Sequence, residues 1–158
     1  MRAVITAGVT LLLATLTQTA SAEFINNGDG TVIDSSTQLM WQRCSAPSTE
    51  FNCGSVTPVT YRWDDALTYC NDLTLGGYSD WRLPNVKTLQ SLVDVTKTSS
   101  PNINTSYFPD TRQDDYWTST TFAGTTPHAW YVNFNIVIDM VSGVDKRSGL
   151  YVRCVRGG

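Results

Sequence analysis

The chain reads as a single α+β domain, and three observations predict it. Apolar residues recur at helical spacing over residues 63–73, and a second helix start stands at Pro84-Asn85. Runs of alternating or β-branched residues fill the C-terminal part, from Tyr116 to Val155. Four cysteines, in a chain that opens like an exported one, supply crosslinks. Two helices followed by a run of strands, with no internal repeat, give the α+β reading.

The first 22 residues read as a signal peptide outside the fold. Arg2 gives a positive start and Val9 to Leu16 an apolar run holding Leu11-Leu12-Leu13. Ala20-Ser21-Ala22 is an A-x-A cleavage site. The run is too short to span a bilayer, and no cysteine follows the cleavage site to take a lipid. The expected mature chain is residues 23–158, a length that suits one domain. Losing Arg2 leaves 14 acidic against 10 basic residues. The basic residues are scattered, not gathered into a patch, which disfavours nucleic acid and polyanionic sugar chains. No later segment is apolar enough to cross a membrane. The predicted location is secreted or periplasmic.

Each element follows from local chemistry. Phe24 to Asp34 reads as a hairpin, because Asn27-Gly28-Asp29-Gly30 tolerates positive φ and Thr31-Val32-Ile33 favours β structure. A calcium loop there would need spaced carboxylates and a bidentate Glu, which are missing. Gln38 to Gln42 reads as a short strand with Leu39 and Trp41. Cys44 to Pro58 is rich in Ser, Thr and Pro and reads as a loop. Trp63, Ala66, Leu67, Cys70 and Leu73 share one helical face, which turns Cys70 to the core. Asp64 and Asp65 suit the helix dipole, and Gly76-Gly77 is the expected stop. Asn85 is the expected N-cap of the second helix, with Val86, Leu89, Leu92 and Val93 as its apolar stripe. Thr96 to Arg112 is polar and aperiodic, an ordered loop. Tyr116–Thr121, Ala129–Phe134, Ile136–Val141 and Leu150–Val155 read as strands. On the last, Leu150, Val152 and Cys154 share a face that should be buried.

Cys44, Cys53, Cys70 and Cys154 include no close C-x2-C pair for zinc, and His128 is the only histidine. Two disulfides are expected instead. Three pairings are open. The preferred one is Cys44–Cys53, closing a short loop, with Cys70–Cys154 closing a long one. The long bridge would contribute about 4–5 kcal/mol on a loop-closure argument.

Taken in order, several blocks resemble the Lcl C-terminal domain family, which is described as a domain of unknown function. They are Gly30-Thr31-Val32, Leu39-Met40-Trp41-Gln42, Trp63 with Ala66-Leu67 and Cys70, and Gly77-Tyr78-Ser79-Asp80-Trp81-Arg82-Leu83-Pro84. Leu89 to Asp94, Tyr107-Phe108-Pro109, Tyr116-Trp117-Thr118-Ser119, Ala129 to Phe134 and Tyr151-Val152-Arg153-Cys154-Val155-Arg156 complete the set. The likeness covers about residues 28 to 157. It implies a C-type-lectin-like fold: two helices on a small twisted antiparallel sheet, with a long irregular loop. The resemblance also implies the Cys70–Cys154 bridge and a role in extracellular, adhesin-like recognition, as expected of a bacterial surface protein. Two departures stand out. Arg62 occupies the place of a small hydroxyl cap before the first helix. The triplets Leu83-Pro84-Asn85, Ser100-Pro101-Asn102 and Phe108-Pro109-Asp110 lack the ligand that calcium-dependent lectins place before proline.

Candidate functional residues lie in two places. In the 96–115 loop, Asp110, Asp114 and Asp115 form an acidic cluster with Asn102, Asn104 and Tyr107 nearby, the one spot where oxygen ligands could hold calcium. On the 129–134 strand, Trp130 or Tyr131 should face outward beside Asn133 as a platform for stacking a sugar. Trp81 and Leu83 read as core, with Arg82 pairing Asp80 or Asp94. His128 reads as a surface histidine, since no motif places Ser119 or Asp139 beside it as a triad. The expected function is non-enzymatic recognition of an extracellular glycan or protein, without cofactor or metal. The rivals are a relative of the formylglycine-generating oxidases, which needs a reactive cysteine, and a structural subunit of a surface assembly.

Overall fold

Turn chemistry sets the N-terminal hairpin in the structure, a computed structural model that describes residues 23–124, 127–135 and 141–158. The expected signal peptide lies outside the described residues. Asp29 Oδ1 accepts from the Thr31 amide at 3.0 Å and from its hydroxyl at 2.6 Å. Gly28 and Gly30 take φ of 77° and 87°. Asp29 therefore closes a turn between β1 (Phe24–Asn26) and β2 (Thr31–Asp34). Strand β3 (Leu39–Gln42) pairs antiparallel with β2, placing Val32 opposite Trp41.

Helix α1 (Trp63–Asp72) follows the predicted face, with Ala66 and Cys70 buried. Arg62 stands at its N-cap and gives no side-chain bond. The Trp63 amide, an orphan donor of the first turn, is met by the Lys146 carbonyl at 3.0 Å. The glycines do not end this helix. Leu73 already turns extended, and Gly76 and Gly77, at φ 61° and 81°, form a tight turn where Leu75 and Tyr78 exchange bonds of 3.0 and 3.1 Å. Helix α2 (Val86–Gln90) is capped by Asn85 Oδ1 on the Thr88 amide at 2.8 Å. It is shorter than its apolar stripe, because Leu92 and Val93 bond back three residues in a tightened turn.

Of the strand expected over Ile136–Val141, residues 136–140 lie outside the described residues. The second half departs from expectation in its tail. After β4 (Asp115–Thr121) and β5 (His128–Asn133), strand β6 runs over Val141–Asp145. It pairs with β5 from His128↔Asp145 to Val132↔Val141. Gly143, a poor strand former, sits where a Cβ would come within 2.5 Å of the Phe122 ring. The tail is not the alternating strand expected over Leu150–Val155. Val152, Arg153, Cys154 and Val155 are all fully buried, and only β7 (Val155–Arg156) is regular strand. The tail joins two sheets, bridging Tyr116 through Tyr151 and pairing with β3 through Val155. A segment enclosed on both sides has no outward face, so its arginine is buried as well.

Among the described residues the result is an α+β fold of two antiparallel sheets, β1-β2-β3-β7 and β4-β5-β6, with two helices. Two clusters make the core. One holds Ala66, Cys70, Trp81, Leu83, Trp117, Ala129, Val152 and Cys154. The other holds Trp41, Leu89, Ile103, Phe108, Tyr116, Val132, Phe134 and Val155. Trp117 and Tyr116 alternate on β4, so the three-stranded sheet is covered on both faces. The disulfides are Cys44–Cys53 and Cys70–Cys154, the preferred pairing. Among the described residues no helix is long and apolar enough to cross a membrane.

Candidate functional site

The long loop is fastened from below by a buried arginine. Arg153 is fully buried. Its Nη1 donates to the Gln42 carbonyl at 2.9 Å and to that of Arg43. Its Nη2 donates to Ser45 Oγ at 3.0 Å and Thr111 Oγ1 at 2.9 Å, and lies 3.4 Å from Asp110 Oδ1. The Asp110 carboxylate also accepts from the Ser45 amide at 2.8 and 3.0 Å. The Tyr116 hydroxyl lies 2.7 Å from Ser45 Oγ and accepts from the Arg112 amide at 3.0 Å. Burial pushes the Tyr116 phenol above its usual range, which keeps it neutral. A buried guanidinium meeting this many acceptors ties residues 108–112 to β3 and the tail. The other end of the loop is held by the Asn102 amide on the Phe134 carbonyl at 3.0 Å and the Asp94 amide on the Asn102 carbonyl at 2.8 Å.

A separate cleft of about 340 Å³ is lined by Phe24, Ser91, Leu92, Val93, Asp94, Thr96 and Asn104. Phe24 is wedged from β1 against Tyr107 and Phe108, with ring centroids 5.5 and 5.3 Å apart. Asp94 Oδ1 accepts from the Thr96 hydroxyl at 2.6 Å and its amide at 3.0 Å. The Thr96 hydroxyl bond, with the amide bond beside it, holds the Asp94 carboxyl below the usual carboxylate range. Asn104 Oδ1 accepts from the Ser106 amide at 3.2 Å. Lys97 turns its ammonium to the Ile103 carbonyl at 2.9 Å, and among the described residues that line the cleft Asp94 is the one with a charged side chain. The cleft offers an aromatic edge, an ionised acceptor, an amide and hydroxyls on backbone that is tied down.

The sequence candidates separate. Asn104 lines the cleft, and Tyr107 lies against its Phe24 wall. Asn102 is buried, with Oδ1 lacking a partner. Asp110 belongs to the arginine base. Asp114 is exposed and accepts the Asp115 amide at 2.8 Å. Asp115 accepts from Asn133 Nδ2 at 2.6 Å, and burial raises its carboxyl above the usual range. The three carboxylates therefore do not converge. Among the described residues the one close set of metal-type ligands is Cys44, Cys53 and Asp110, whose sulfurs are bonded to each other.

The strand platform does not form either. Asn133 is buried and shares a strand face with Tyr131, which packs on the first cluster. Trp130 lies on the opposite face, against Phe122 at 4.8 Å and across from Gly143. Trp81 and Leu83 are core as read. Arg82 donates to the Gly157 carbonyl at 2.9 Å, while Asp80 pairs with Arg156 at 2.6 and 3.0 Å. His128 stands opposite Asp145 on β6, half-buried on a strand and not on a surface loop. Asp139 lies outside the described residues. Sequence reading missed Phe24, Ser91, Asp94 and Thr96. The Asp-x-Thr spacing of Asp94 and Thr96 signals an Asx-turn, but nothing local joins Phe24 to residues far along the chain.

The fold and cleft define a class: a small, disulfide-bonded α+β domain with a fastened loop and a cleft of mixed polar and apolar lining. The model of the Lcl C-terminal domain matches residues 30–156, and the chain belongs to that family. No curated protein matches the chain.

Proposed function

We propose that this is a secreted, non-enzymatic recognition domain, C-type-lectin-like in fold, that binds a neutral sugar in the cleft between Phe24, Asp94 and Asn104. One observation carries the reading: an ionised carboxylate, an amide, two hydroxyls and an aromatic wall face a single cleft on anchored backbone. Sugar hydroxyls donate to carboxylate and amide oxygens, and the C–H face of a pyranose packs on an aromatic edge. The Asp94 charge repels anionic sugars. Two disulfides fit an oxidising compartment.

A glycan array of the intact protein, run with calcium and with chelator, tests this. The expected result is a discrete set of neutral glycans bound alike in both conditions, with signals falling at least tenfold in Asp94→Asn and Asn104→Ala. A flat array, or hits untouched by both substitutions, overturns it.

A further inference from the structure

The two disulfides differ in how far they are enclosed, although Cys44 at 1 % and Cys53 at 9 % exposure are largely buried too. Cys70 and Cys154 are both fully buried inside the first core cluster. Cys53 reaches a polar cleft of about 360 Å³ that it lines with Thr57, Pro58, Asp110, Thr111 and Arg112. Arg43 Nη1 lies 3.6 Å from Cys53 Sγ and also bonds the Phe51 carbonyl. Cys53 holds φ at 57°, a left-handed angle that favours glycine. Two other readings of this spot fail. A metal on Cys44, Cys53 and Asp110 would sit between the guanidiniums of Arg43 and Arg153, which repel a cation. The Asp110 carboxylate is already held by Ser45 and Arg153.

We propose that Cys44–Cys53 is a thiol-exchange site, opened in the folded protein by a dithiol reductant while Cys70–Cys154 stays closed. One thiolate of the dithiol attacks Cys53 Sγ, the sulfur of the cysteine that lines the cleft. The Cys44–Cys53 bond breaks, its electron pair leaves on Cys44 Sγ, and that sulfur takes a proton. The second thiol of the reductant then attacks the mixed disulfide and loses its proton to solvent. Cys53 leaves as a thiolate beside Arg43, whose positive charge stabilises it, while the nearby Asp110 carboxylate is paired with Arg153. The reductant becomes a cyclic disulfide, oxidised by two electrons, and the Cys44–Cys53 pair is reduced by the same two. The product carries a charged, nucleophilic Cys53 at the wall of the polar cleft. Reduction also frees the 45–52 segment that this bridge closes, next to the Ser45 contacts of the arginine base.

Limited reduction of the native protein with dithiothreitol, followed by iodoacetamide and peptide mapping, tests the site. Without reductant no cysteine is labelled. With it, Cys44 and Cys53 are labelled while Cys70 and Cys154 remain joined and circular dichroism stays native. At pH 7, Cys53 labelling slows several-fold in Arg43→Gln and recovers in Arg43→Lys, which keeps the charge. Labelling of all four cysteines together, no labelling of native protein, or an unchanged rate in Arg43→Gln overturns the proposal. None of these outcomes depends on sugar binding.

Discussion

Asp110 and Asp94 belong to the same stretch of irregular chain, and their surroundings give them opposite tasks. Asp110 is enclosed, with its oxygens held by the Ser45 amide and the Arg153 guanidinium. Asp94 has one oxygen fixed by Thr96 and lines an open cleft. The first carboxylate completes a buried ion pair and fixes the loop. The second is held ionised at the surface, where a ligand can reach it. Acidic residues in a loop are therefore poor indicators of a site until their partners are known. The acidic cluster that the sequence offers turns out to be one anchor, one half-buried acceptor and one exposed turn residue.

The comparison can be broken from below. Replacing Cys70 and Cys154 together with alanine removes the bond that closes the long loop, and stability should fall by about 4–5 kcal/mol. Urea unfolding measures it, and a loss under about 1 kcal/mol would mean the tail is held without the bridge. Arg153→Met should cost about 3–5 kcal/mol, because Asp110 would be left buried without its counter-ion. Adding Asp110→Asn to that variant should recover part of the loss, since the unpaired charge goes with it. If the double variant is no better than the single one, the ion pair is not what fastens the loop.

Smaller effects sharpen it from above. Asn85→Ala removes the cap of α2 and should cost about 1 kcal/mol. Asp94→Asn should change stability little while abolishing binding, the reverse of Arg153→Met. Acid separates Asp94 from Asp115. The Asp94 carboxyl is held below the usual range, so its ionised form persists as pH falls through about 4, and sugar binding should be lost only below that. Asp115 is shifted the other way by burial. Its folded form prefers the proton, so its charge costs stability at neutral pH and the cost fades as pH falls. Asp115→Asn should thus be neutral or stabilising at pH 7 and lose any advantage in acid, as thermal melts across pH would show.

Much of the mount was legible in local sequence. Helical spacing gave α1 and the inward turn of Cys70, Asn85 gave the cap, and the Asn-Gly-Asp-Gly run gave the first turn. The misses share a physical cause. Alternation describes a strand with one wet face, and the tail from Val152 to Val155 has none, so Arg153 could not be placed. Gly143 hid β6, because its small size serves Phe122 and not the strand. The cleft joins β1, the turn after α2 and the loop, and contacts such as Phe24 to Tyr107 leave no periodic trace.

Amide chemical-shift mapping tests the central claim most directly. Isotope-labelled protein would be titrated with the neutral sugar that the array selects. The account predicts shifts gathered on residues 91–96, Asn104 and Phe24, and their absence in Asp94→Asn. Shifts gathered around Trp130 and Phe122, or spread with no locus, would contradict it.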